Sequence, residues 1–221
     1  MARPPPRISG ILLAKNGMAA LCYDPIGQGE RYQVLSEQPN EFFKGGSRYR
    51  PPHPQVQYYC TAEHTLFSVS SIPLGSNAAR YRIWDGMRSI DYLVSRPEID
   101  AKRIGCTGNS GGGTLTSYIM ALDDRVQAAA PVCYSTMYRY LIDFNGPQDG
   151  EQNIFGQLAY GMDIADYTLM RAPKPTLICA GTLDSTFKID GTWELFREAK
   201  RFYTRLGYAE RVGIIEADAP H

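Results

Sequence analysis

Neither sign of charge is in excess in this sequence: 23 Lys and Arg residues stand against 23 Asp and Glu residues. No net field draws the chain toward nucleic acid or an anionic membrane, so neither is expected as a partner. Long apolar runs are missing too, with nothing near the roughly 18 residues that a membrane helix needs. Met1-Ala2-Arg3-Pro4-Pro5-Pro6-Arg7 leads into no apolar stretch of the export type. The chain therefore reads as soluble, cytoplasmic if this is the native start and secreted if a signal precedes it. Five cysteines do not pair evenly, and Cys22, Cys106 and Cys179 each lie in a short apolar run, so they read as reduced core residues. C-x-x-C, H-E-x-x-H and His/Asp clusters at ligand spacing are absent, which argues against a metal. No P-loop or G-x-G-x-x-G fingerprint can be drawn, and no cofactor is expected.

What is present is ordinary globular composition, 43% hydrophobic and 21% charged over 221 residues, the length of one domain spanning 1–221. Ile8, Ile11, Leu12 and Leu13 predict a helix over Ile8–Asn16, stopped by Gly17. Met18–Tyr23 is a continuous apolar run and predicts a strand covered on both faces. Residues 32–72 lack a period and read as an irregular excursion with one helix after Thr61. Ala79, Ile83, Met87, Ile90 and Leu93 predict a helix over Ser76–Ser95. Strands are expected at Arg103–Thr107, Val126–Cys133, Thr176–Ala180 and Arg211–Glu216. Helices are expected at Gly112–Leu122, Asp163–Met170 and Thr192–Leu206, with a second irregular excursion at 134–162. This alternation implies an α/β fold, a mostly parallel sheet with helices on both faces and active groups at the carboxyl ends of the strands.

Gly108-Asn109-Ser110-Gly111-Gly112 is G-x-S-x-G between a predicted strand and a predicted helix. A sharp turn there strains the serine backbone, requires small neighbours and lifts the hydroxyl above the sheet. The Gly111 N–H, at the helix start, would face a developing oxyanion. A serine hydroxyl needs a base and the base an orienting acid, and only three histidines exist. His53, in Pro51-Pro52-His53-Pro54, reads as an exposed loop residue, and His64 as a hydrogen-bonded packing residue near a helix start. His221 follows the last strand, where the base belongs in the order serine, acid, histidine. Asp184, after the Thr176–Ala180 strand, is favoured as the acid; its rival Asp190 reads as the N-cap of the following helix. The charges of Asp85, Arg88 and Asp91 read as a salt-bridged helix face. Glu151 and Gln152 read as loop residues without partners. Tyr49, Tyr58, Tyr59, Tyr134, Tyr138 and Tyr140, in the two excursions, are compatible with a sugar or aryl substrate.

These segments resemble the α/β-hydrolases, and within them the bacterial esterases of the acetyl xylan esterase-like and prolyl oligopeptidase-related groups. The resemblance is carried by Leu13-Ala14-Lys15-Asn16-Gly17, the run Asp24 to Arg31, Trp84 to Leu93, the Gly108–Thr114 elbow and Asp218-Ala219-Pro220-His221. It implies Ser110 as nucleophile, Asp184 as acid, His221 as base and Gly111 as one oxyanion donor. It also implies a strand and a His-Gly-type loop before Ile8–Asn16 and a helix after His221. Because the sequence contains neither, the expectation is a fold cut at both ends, with N-terminal strands and the C-terminal helix missing. In that fold a strand lies between Met18–Tyr23 and Arg103–Thr107. The activity implied is hydrolysis of a small-molecule or carbohydrate ester, acetyl esters among them. A peptide hydrolase with the same three residues, and a remnant that only binds, are the rivals.

Overall fold

The computed structural model of the chain describes residues 6–29, 31, 33, 59–146 and 148–221. Four strands, β1 (Ile104–Asn109), β2 (Val126–Val132), β3 (Thr176–Gly181) and β4 (Val212–Ala217), form one parallel sheet in the order β1-β2-β3-β4. Among the described residues seven helices accompany them: α1 (Pro6–Lys15), α2 (Tyr59–Ser71), α3 (Ala78–Val94), α4 (Gly111–Leu122), α5 (Tyr138–Phe144), α6 (Ile164–Met170) and α7 (Ile189–Arg205). The start of α6 is held by a capping box in which Asp163 and Asp166 each accept from the other's end of the first turn. Asn77 caps α3 by accepting from the Ala79 N–H at 2.6 Å.

Sheet order follows chain order, and parallel crossovers turn right-handed, so each connecting helix is delivered to the same side. Helices α4, α6 and α7 accordingly pack in a row. Between them and the sheet lies a core that includes Ile104, Leu115, Tyr118, Val126, Ala129, Ile178, Leu195, Tyr203 and Val212. Ile178 is fully buried, whereas Leu177, one residue back and on the opposite face, is 36% exposed and Ile215 on β4 is 54% exposed. Among the described residues, then, the helices that pack on strands cover one face, and the two-faced cover expected from the alternation is not completed by them. No helix among the described residues is long and apolar enough to cross a membrane.

Other expectations meet the structure unevenly. Met18–Tyr23 is not a strand; it runs irregularly, with Met18, Leu21 and Cys22 exposed and no ladder partner among the described residues. Apolar content alone does not make a strand, because the backbone groups need a neighbour to bond. Cys22 is thus not a core residue, and Cys106 and Cys179 are half-buried; none of the five cysteines is in a disulfide. Within the supposedly irregular 134–162 stretch, Tyr138–Phe144 forms α5, burying Tyr138 and Leu141 at a spacing of three. Most of the 32–58 region, with His53, Tyr49 and Tyr58, lies outside the described residues, as does the Tyr59 side chain.

Candidate active site

Strand β1 ends at Asn109 and α4 begins at Gly111, leaving Ser110 alone to make the turn. It does so at φ 59° and ψ −121°, a region that disfavours any residue with a Cβ. Hydrogen bonds hold it there. The Ser110 N–H donates to the Val132 carbonyl of β2 at 2.9 Å, and its own carbonyl accepts from Thr114 at 2.9 Å. A Cβ on Gly108 would come within 2.6 Å of the Gly112 carbonyl oxygen, so the first glycine of the motif is required by close approach of the helix backbone. As a first-turn residue of α4, Gly111 has an N–H without an intrahelical acceptor.

The carboxyl ends of β3 and β4 supply the other two groups. Asp184, after β3, is buried, with its side chain 1% exposed. One oxygen accepts from the Thr186 and Phe187 N–H groups at 2.8 and 2.9 Å. The other oxygen lies 2.7 Å from His221 Nδ1. A carboxylate can only accept, so Nδ1 carries the proton and Nε2 is left with its lone pair. That lone pair meets the Ser110 hydroxyl at 2.6 Å. His221 reaches this position because the chain after β4 folds tightly over the end of β3. A Cβ on Gly181 would stand 2.4 Å from the Ala219 carbonyl oxygen, so only glycine permits the approach. The Phe187 ring stacks on the imidazole at 5.3 Å and 26°, and Tyr134 packs edge-on against Phe187 at 5.7 Å. The structure therefore brings Ser110, Asp184 and His221 into one line, with Gly111 next to the serine as the first residue of α4.

Asp190 is not the N-cap of α7: Lys188 holds that place without a side-chain cap bond, and Asp190 is an exposed first-turn residue. Asp85, Arg88 and Asp91 do make ion pairs, with Arg31 at 2.8 Å, between Arg88 and Asp91 at 2.9 Å, and with Arg125 at 2.6 Å. Glu151 overturns its expectation outright. It is 1% exposed, with one carboxylate oxygen 3.1 Å from His64 Nδ1 and the other 3.3 Å from Arg82 Nη1. Arg82 in turn donates to His64 Nε2. Burial alone would raise the Glu151 pKa, but the His64 hydrogen bond and the Arg82 charge outweigh it and hold the carboxyl below its ordinary range. Gln152 is also buried, its carbonyl accepting from the Tyr138 hydroxyl at 3.4 Å. His64 is the buried, hydrogen-bonded residue expected of it.

One neighbour of the site carried no signal in the sequence beyond its position just after a strand. Cys133, which follows β2, is 8% exposed and holds φ at 50°. Its Sγ, a carboxylate oxygen of Asp184 and a ring nitrogen of His221 all lie within 4.8 Å of one another. His64, Asp149 and Glu151 form a second such group, but there the Arg82 guanidinium already occupies Nε2 of the histidine.

The family model described as the prolyl oligopeptidase family matches residues 75–209. A curated relative, "Putative hydrolase YtaP" of Bacillus subtilis (strain 168), is 26% identical over 140 residues, covering 63% of this chain and 47% of its own. Among solved structures, a protein described as a putative acetyl xylan esterase from Bacteroides fragilis superposes with a TM-score of 0.66 at 17% identity, covering 97% of this chain and 50% of that one. Methylesterase BT1017 superposes with a TM-score of 0.53 at 31% identity, over 65% of this chain and 32% of its own. The chain spans about half the length of the curated relative and of the Bacteroides fragilis protein.

Proposed function

Because the chain belongs to the prolyl oligopeptidase family of α/β-hydrolases, we propose that it is a serine hydrolase acting on carboxylic esters, with Ser110, His221 and Asp184 as its working groups. The observation that carries this reading is the unbroken line from the Ser110 hydroxyl through His221 to Asp184, at 2.6 and 2.7 Å. In the first step Ser110 Oγ attacks the ester carbonyl carbon while Nε2 of His221 takes the hydroxyl proton. Asp184 keeps the proton on Nδ1 and stabilises the imidazolium. The oxyanion that forms faces the Gly111 N–H at the positive end of α4. Collapse expels the alcohol, which leaves with the proton from Nε2. Water then attacks the acyl-serine, delivering its proton to Nε2, and the acid departs from a regenerated Ser110. Relatives described as acetyl xylan esterase and methylesterase support an ester, and a carbohydrate one, as the substrate class.

Hydrolysis of a short-chain nitrophenyl ester, an acetylated xylo-oligosaccharide and a peptide anilide by the 221-residue chain tests the reading. Ester turnover is expected to exceed amide turnover, and Ser110→Ala to reduce kcat by about 10⁶-fold. A fluorophosphonate probe should label Ser110 alone. Labelling that maps to another serine, or ester turnover that survives Ser110→Ala, overturns the assignment. A preference for the anilide replaces the ester with a peptide as substrate.

A further inference from the structure

We propose that Cys133, Asp184 and His221 form a binding site for a soft divalent cation of the Zn2+ type, and that its occupation silences the serine. The three side chains leave the carboxyl ends of three separate strands, β2, β3 and β4, and arrive with their ligand atoms within 4.8 Å of one another. Thiolate, imidazole and carboxylate are the three protein ligands that zinc accepts, and bond lengths of about 2.0–2.3 Å put tetrahedral ligand atoms roughly 3.3–3.8 Å apart. Asp184 and His221, hydrogen-bonded at 2.7 Å, would part slightly to admit the cation while the Cys133 sulfur, within 4.8 Å of them, closes in, both by side-chain adjustment and without movement of the strands.

The donor set also selects the metal. A thiol and an imidazole are poor partners for Mg2+ or Ca2+, which take oxygen, whereas sulfur favours Zn2+ and Cu(I). Cys133 gives up its thiol proton to solvent on binding, so net uptake of one cation releases a proton. Both Cys133 and Asp184 are buried, at 8% and 4% exposure, and the way in is past His221, whose side chain is 15% exposed. An imidazole that coordinates the cation has lost either the proton it shows to Asp184 or the lone pair it shows to Ser110. In both cases the serine has no base.

The contrast with the His64, Asp149 and Glu151 group sharpens the choice. There the Arg82 guanidinium donates to Nε2, which leaves the proton on Nδ1 facing the carboxylates, and a fixed positive charge opposes a second one. Among the described residues no Lys or Arg is hydrogen-bonded to Asp184, whose partners are two backbone N–H groups and His221.

Titration with Co2+ as a spectroscopic stand-in for Zn2+ tests the site without reference to turnover. The full chain is expected to bind one Co2+ with a sulfur-to-cobalt charge-transfer band and tetrahedral d–d absorption, displaced by Zn2+ and untouched by Mg2+. A variant with Cys22, Cys60, Cys106 and Cys179 replaced by serine should keep the band, and Cys133→Ser should lose it. Zinc inhibition of nitrophenyl ester hydrolysis should weaken by at least about 10-fold in Cys133→Ser, since even outer-shell changes cost 10–100-fold in metal affinity. Circular dichroism establishes that both variants fold. No sulfur-to-cobalt band in the wild-type chain, loss of the band in the four-cysteine variant, or a band that persists in Cys133→Ser overturns the proposal. A chain that proves inactive on esters but shows the expected spectra leaves this site standing while the proposed activity falls.

Discussion

Asp184 and Asp190 sit six positions apart and look alike on paper, yet their surroundings are opposite. Asp184 is buried and accepts from two backbone N–H groups and from the His221 ring. Asp190 is exposed in the first turn of α7. Asp184→Asn is expected to lower ester kcat by on the order of 10⁴-fold with the fold retained, because an amide can present its N–H to Nδ1 and stabilise the wrong tautomer. Asp190→Ala should leave kcat alone and cost about 0.3–1 kcal/mol in urea denaturation, the worth of a carboxylate near a helix N-terminus. Equal losses of kcat in the two variants would contradict the assignment. The convergence of Ser110, Asp184 and His221 was legible from chain order: a glycine-bracketed serine between strand and helix, an aspartate after the next-but-one strand and a histidine after the last. Cys133 was not, since nothing local distinguishes a cysteine that faces Asp184 from one that faces the core. Asp190 falls inside the first turn rather than at the cap, because the helix starts earlier than its apolar pattern, at Ile189 after Lys188.

Helices and strands with strong periodicity, α3, α4, α7, β1 and β3, lie within a few residues of where their patterns put them. The elements that escaped are those whose stability comes from elsewhere. Helix α5 has seven residues, too few for a periodic signal, and holds through Tyr138 and Leu141 in the core. The buried cluster of His64 on α2, Arg82 on α3 and Glu151 in the 145–163 connection joins three segments that are remote in sequence. No local pattern announces such a pairing. Its consequence is an acid-labile joint. A carboxyl held below its ordinary pKa in the folded state stabilises the fold above the unfolded value, near 4.3 for glutamate, and that contribution is lost as pH falls through the folded pKa. Denaturation followed from pH 7 to pH 3 should show stability falling below about pH 4.3. Glu151→Gln should remove part of that fall and cost about 3–5 kcal/mol at pH 7, because it leaves Arg82 buried without its counter-charge. An unchanged pH profile in Glu151→Gln would mean the joint contributes nothing to acid lability.

Across the whole molecule, sheet order and chain order coincide, and the site is assembled from the carboxyl ends of strands in that same succession. Each neighbouring pair of strands is parallel and joined through a helix-containing crossover, so even the pairing of adjacent strands closes a sizeable stretch of chain. The Ser110–His221 bond spans 111 residues and depends on the segment after β4 passing over Gly181. During synthesis Ser110 therefore emerges well before His221, the residue that accepts its hydroxyl in the folded chain. Under the proposed mechanism, the nascent chain carries a serine that stays unactivated until the last strand docks. In refolding from urea, far-ultraviolet circular dichroism is expected to recover before fluorophosphonate reactivity does, with the lag between them set by docking of β4. Simultaneous recovery of the two signals would show that the sheet and the reactive centre form as one unit.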